Sequence, residues 1–238
     1  MQRPLAPAAI LGVSFVVGMM ILGMSAVQYK AADRFISVTG SAQKTIISDR
    51  AVWHVTLSRT AGLDDAAGGS KLMNQDLQKL LSYVKKSGMT GSGIIVKPVS
   101  VETLMNYNVN QPAGYTFRQE VVISSSDVQG LTTIAQGAAS LFAEGALVST
   151  ASLEYYYSKL PELRIAMLAA ATNDARLRAE KIAESAGASL GGLQDASMGV
   201  IQLTAANSVD VSDYGTYDTS SIEKQLTAIV RASFAIKK

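Results

Sequence analysis

Residues Ala51–Arg59 read AVWHVTLSR, and their alternation decides the fold. Trp53, Val55 and Leu57 fall on one side; His54, Thr56 and Ser58 fall on the other. Side chains of a strand point alternately to its two faces, so this pattern predicts a strand with one face in a core. Between Ser70 and Ser87 the period becomes helical. Met73, Leu77, Leu80, Leu81 and Val84 make one stripe, and Gly88 stands where a C-terminal cap belongs. Upstream, Phe35–Ala42 (FISVTGSA) predicts a short strand.

The same alternation of elements continues downstream. Ile94–Leu104 predicts a strand in which Pro98 marks an edge or a bulge. The run 106–114 (NYNVNQPAG) is turn chemistry, and Tyr115–Ser125 returns as a strand, which makes a hairpin. Ser126 or Asp127 caps a second helix carrying Leu131, Ile134, Ala135, Ala138, Leu141 and Phe142, ended by Gly145. Ala151–Ser158 alternates with Leu153, Tyr155 and Tyr157 on one face. Pro161 opens a long Ala-rich helix that stops at Gly187. Ser197–Leu203 predicts a strand, 205–221 a polar loop, and Leu226–Ile236 a closing strand of clean period two. The order β-β-α-β-β-α-β-α-β-β mixes hairpins with crossovers. It predicts an α+β fold, with mainly antiparallel sheets and helices packed on one face.

A single N-terminal transmembrane helix is expected before that fold. Leu5–Val27 contains no charge, and only Ser14 and Ser25 are polar. At ~1.5 Å per residue such a run covers a hydrocarbon core of ~30 Å. Leu5, Ile10, Leu11, Phe15, Val16, Met20, Ile21, Leu22 and Val27 are its anchoring side chains. A cleaved secretory signal is the alternative, with Gly23 and Ser25 as a mediocre cleavage site. The division is therefore an anchor at 1–30 and an α+β domain at 31–238. Charges flanking the run (Arg3 before it; Lys30, Asp33 and Arg34 after it) set only a weak orientation bias. A short tail stays inside most simply, which puts the domain on the outer side of the membrane. After signal cleavage it would be secreted there instead.

Composition narrows function by exclusion. The net charge is +2 and the charges are scattered, without the basic stripe of a nucleic-acid binder. The chain has no cysteine, which removes thiol catalysis and thiolate metal sites. His54 is its single histidine, and spacing reveals no partner for it as base or ligand. Gly68–Lys71 lacks the order of a phosphate loop, and the S-x-x-K matches at Ser41 and Ser82 lack companion motifs. Asp210, Asp213 and Asp218 lie in one loop where carboxylates can hold a hard cation, although a solvated loop is the simpler reading. No catalytic residue, cofactor or metal is assigned, and an enzyme is not expected. Tyr156, Tyr214 and Tyr217 are candidate interface residues, because tyrosine offers rigid area with a polar tip.

Several short motifs, in order, resemble the SIMPL-domain family of exported bacterial proteins of uncharacterised function. They are Val38-Thr39-Gly40-Ser41-Ala42, Asp49-Arg50-Ala51, Gly114-Tyr115, Gly145-Ala146, the series Ala171, Ala175, Ala179, Lys181, Ala183 and Gly187, then Leu190-Gly191 and Ala232-Ser233-Phe234. The resemblance implies a periplasmic or surface location, an association of some members with oxidative stress, and homo-oligomers built by edge-to-edge contacts. It supplies no catalytic residues. Together these readings give a non-enzymatic, membrane-anchored envelope protein, with its domain in the periplasm outside a bacterial inner membrane, that self-assembles into a large ring or cage; the resemblance implies a tie to stress defence. Its expected partners are itself and the bilayer. The alternative is a periplasmic module that binds peptides or small ligands, or acts as a chaperone.

Overall fold

The computed structural model describes residues 12, 14–22, 34–89, 93–106, 108, 110–206, 208 and 214–237. Nine strands are described: β1 (Phe35–Ile47), β2 (Arg50–Ala61), β3 (Ile94–Val96), β4 (Ser100–Asn106), β5 (Gln111–Ser125), β6 (Val148–Tyr156), β7 (Ser189–Met198), β8 (Gln202–Ala205) and β9 (Glu223–Lys237). The helices that follow β1 are α1 (Ala66–Lys86), α2 (Val128–Gly137), α3 (Ser140–Ala143) and α4 (Leu160–Ser185). This is the α+β class with antiparallel pairing that the sequence predicts. The chain divides into two compact units. One gathers the described residues of Met1–Gln43, Leu163–Ile201 and Thr227–Lys238; the other gathers those of Lys44–Glu162 and Gln202–Leu226. Two of the divisions fall inside β1 and β9.

The core of the second unit forms where the period-two pattern of β2 meets the helical stripes. Its five-stranded sheet has the order β3-β5-β2-β6, with β4 also on β5. In the register, Trp53 stands opposite Ile123 on β5 and Leu153 on β6. Trp53, Val55 and Leu57 are fully buried against Leu80 and Val84 of α1 and Leu131 of α2. The indole N–H of Trp53 donates to Thr150 Oγ1 at 3.1 Å, which satisfies its polar end. One charge is buried within the α1 stripe. Asp76 is 1 % exposed and accepts both Nε and Nη2 of Arg59, at 2.6 and 2.8 Å. The same guanidinium donates to the carbonyl of Gly145, and Asp76 also accepts the N–H of Leu147. This network ties β2, α1 and the turn before β6 together. Gly88 and Gly145 hold φ of +88° and +77°, the left-handed conformation that ends a helix without a Cβ clash.

In the first unit, α4 packs a stripe of Ala171, Ala175, Ala179 and Ala183, all buried. Small side chains let the helix approach β1 closely. A Cβ on Gly40 would lie 2.2 Å from the carbonyl oxygen of Ala171. Asp174 then accepts the N–H of Ser41 at 2.8 Å. β9 pairs with both β1 and β7, and the β7 pairing is antiparallel.

Three element readings are corrected. Ile94–Leu104 is two strands, because the segment around Pro98, which has no N–H to give, leaves the ladder between β3 and β4. The second helix is broken into α2 and α3: Gly137 weakens it, and the Ser140 hydroxyl takes the Gly137 carbonyl. Ser197–Leu203 is not one strand. β7 ends at Met198 and β8 begins at Gln202. The closing strand is present as expected, and β9 lies between β1 and β7. Toward the N-terminus, residues 14–22 are helical, with Phe15, Val16, Met20, Ile21 and Leu22 exposed. Leu5, Ile10, Leu11 and Val27 lie outside the described residues. No helix of the described residues is long and apolar enough to cross a membrane.

Candidate functional site

The helices cover one face of the five-stranded sheet, and the other face carries a row of charged and polar side chains. Even-numbered residues of β2 and β5, and of β6 from Ser152 onward, share this face because strand alternation sends them away from the core. His54 sits opposite Val122 and Ser152, and Glu120 opposite Thr56 is its diagonal neighbour. His54 Nδ1 is 2.9 Å from Glu120 Oε1, and Lys97 Nζ donates to Glu120 Oε2 at 2.8 Å. An ionised carboxylate only accepts, so Nδ1 carries the proton of that bond and Nε2 is left as the basic nitrogen of neutral His54. The bond from Lys97, then that from His54, holds the Glu120 carboxyl below the usual carboxylate range.

A second pair continues the row on β6. Glu154 accepts Ser152 Oγ at 3.0 Å and the hydroxyl of Tyr156. That phenol bond lowers the Glu154 pKa, and the carboxylate pushes the Tyr156 phenol up to about 12. The Tyr156 ring lies 6.5 Å from that of Tyr217, tilted by 38°. The structure thus brings two of the three candidate interface tyrosines together. Tyr214 is 97 % exposed.

The surface is open. It presents a carboxylate-oriented imidazole, a lysine, and two carboxylates already engaged in hydrogen bonds. Ser152 spends its proton on Glu154 rather than on His54, so the pair does not make a nucleophile and base. Among the described residues no three His, Asp or Glu side chains are placed to hold a metal. A separate cleft of about 820 Å³ in the same unit is lined by Asp49, Arg50, Ser87, Asp127 and Ser158, among others. Its carboxylates serve the fold: Asp49 accepts N and Oγ of Ser158, and Asp127 caps α2 through the N–H of Gly130.

Of the aspartates in the polar loop, Asp210 and Asp213 lie outside the described residues. Asp218 accepts both Ser220 and Ser221 and pairs at 3.2 Å with Lys224, which is fully buried. Its carboxylate pins that lysine, which corrects the solvated reading of this position. The partner of His54, Glu120, lies 66 residues away in sequence, out of reach of any spacing argument.

A family model described as SIMPL, protein of unknown function (DUF541), matches residues 36–234. The chain belongs to the SIMPL family. No curated protein matches it. The motif residues of this SIMPL chain fall at structural positions. Gly40 admits α4, Asp49 holds Ser158, and Gly145 turns the chain beside Arg59. Gly114 passes so close to Ala61 that a Cβ there would stand 2.1 Å from its carbonyl oxygen.

Proposed function

We propose that this SIMPL protein is a non-enzymatic, membrane-anchored protein of the bacterial envelope that works by assembling with copies of itself into a ring or cage. The observation that carries the reading is the free edge formed by β3 and β4. Among the described residues, both strands pair on one side only, with β5. Ile95 and Val101 there are 62 % and 53 % exposed, and Val96, Val99 and Leu104 are exposed beside them. An open edge bearing apolar side chains is a template for further strand pairing. Tyr156 and Tyr217 add a rigid aromatic surface on the open face of the same sheet. The anchor reading rests on Leu5–Val27 and on the exposed apolar helix at 14–22. The periplasmic side and a tie to stress defence rest on family resemblance alone.

Native mass measurement of the detergent-solubilised full chain tests the assembly. Large homo-oligomers are expected; a monomer at micromolar concentration overturns the reading. The free edge also supports a second reading, an envelope module that receives an extended peptide as an added strand. That reading requires a peptide-dependent rise in melting temperature, because a ligand of the folded form alone stabilises it.

A further inference from the structure

Four chain segments converge at one end of the first unit. Ile236 N donates to the carbonyl of Arg34 at 3.0 Å, which fixes the start of β1 beside the end of β9. Ser189 pairs with Lys237, so β7 begins at the same end. Ala188 N donates to the carbonyl of Ala183, which brings the last turn of α4 there too. The side chains presented at this rim combine bulk and positive charge. Phe35 is 54 % exposed and Ile182 is 50 % exposed. Arg34, Lys181 and Lys237 are exposed beside them, with Lys181 bonded to Glu184. Ile182 also borders a shallow apolar groove with Val38 and Leu177.

The rim is the part of the unit joined to the apolar run. Residues 28–34 separate Val27 from β1. Even fully extended, at about 3.5 Å per residue, they reach only about 25 Å. If Leu5–Val27 spans the bilayer, this end of the unit is held close to the headgroup layer, at an effective concentration far above any free encounter. Aromatic and aliphatic side chains flanked by arginine and lysine suit that layer, where apolar bodies enter the boundary and cations meet lipid phosphate.

We propose that the rim formed by Arg34, Phe35, Ile182 and Lys237 rests on the surface of the bilayer that holds the anchor. The chain is then attached twice, by a spanning helix and by a docked face. The inference depends on the anchor reading of the proposed function.

The natural chain has no cysteine, so single cysteines report cleanly. Phe35→Cys, Ile182→Cys and Ile165→Cys are introduced separately into the full chain, labelled with an environment-sensitive fluorophore and reconstituted in anionic nanodiscs containing headgroup-nitroxide lipid. Ile165 is 72 % exposed and lies on the same helix as Ile182, about 25 Å along its axis, so it serves as the distant control. Quenching at 35 and 182 at least twofold stronger than at 165 is expected. Equal quenching at the three sites overturns the docking. Carbonate extraction of the same membranes separates the two claims. A chain released by carbonate has no anchor, and both readings fall; a retained chain with unquenched labels keeps its anchor and loses only the docked rim.

Discussion

Asp76 shows how one side chain can be both a liability and a joint. It occupies a position of the α1 stripe where a carboxylate would be costly to bury alone, and Arg59 makes it tolerable by a two-pronged bond. Asp76→Ala leaves Arg59, only 17 % exposed, without its counter-charge. A loss of about 3 kcal/mol is expected, measured by urea unfolding. Gly40 tests packing instead. Gly40→Val places a branched side chain against the backbone of α4, and a cost of about 1–3 kcal/mol or more is expected from overpacking, read as a lower melting temperature. Tyr156 predicts a pH effect. Its folded pKa of about 12 lies above the usual value near 10, so its contribution is complete below about pH 10 and disappears as pH rises through 12. Glu154 and Glu120 have depressed values, so their contributions are complete above the ordinary carboxylate range and are lost as pH falls from it through the lower folded values. Thermal melts from pH 9 to 12 should show an alkaline decline that Tyr156→Phe flattens.

At the scale of elements, the free β3–β4 edge makes its own prediction. Val101→Lys with Leu104→Lys changes two exposed residues, so monomer stability should move by no more than about 0.5 kcal/mol. Lysines on an open edge discourage strand addition. Sedimentation should therefore show smaller assemblies, with an unchanged circular dichroism spectrum. Elements were legible in the sequence wherever one period ran unbroken. β2, α1 and β9 show this, as do the turns at Gly88 and Gly145. β7 was missed because register shifts at Leu190, Leu193 and Asp195 break its alternation, and most of its side chains are exposed on both faces. The His54–Glu120–Lys97 row was out of reach for another reason. It depends on the register of β2 against β5, and local pattern cannot set a pairing between strands so far apart in sequence. Alternation puts Leu153, Tyr155 and Tyr157 on one face, which leaves Glu154 and Tyr156 together on the other.

For the whole molecule, stability is assembled without disulfides. Each unit relies instead on one tightly packed seam: Trp53 and its neighbours beneath α1 and α2 in one, the alanine stripe of α4 in the other. Buried ion pairs at Arg59–Asp76 and Asp218–Lys224 specify geometry within the second unit. Because the chain crosses between units inside β1 and β9, neither unit is a contiguous segment. The order of synthesis then matters. β9 is made after both β1 and β7, yet it is the strand on which both of them pair. A nascent chain that has not yet delivered Glu223–Lys237 has no middle for that sheet. In such a polypeptide β1 and β7 wait apart until their shared middle strand has been made.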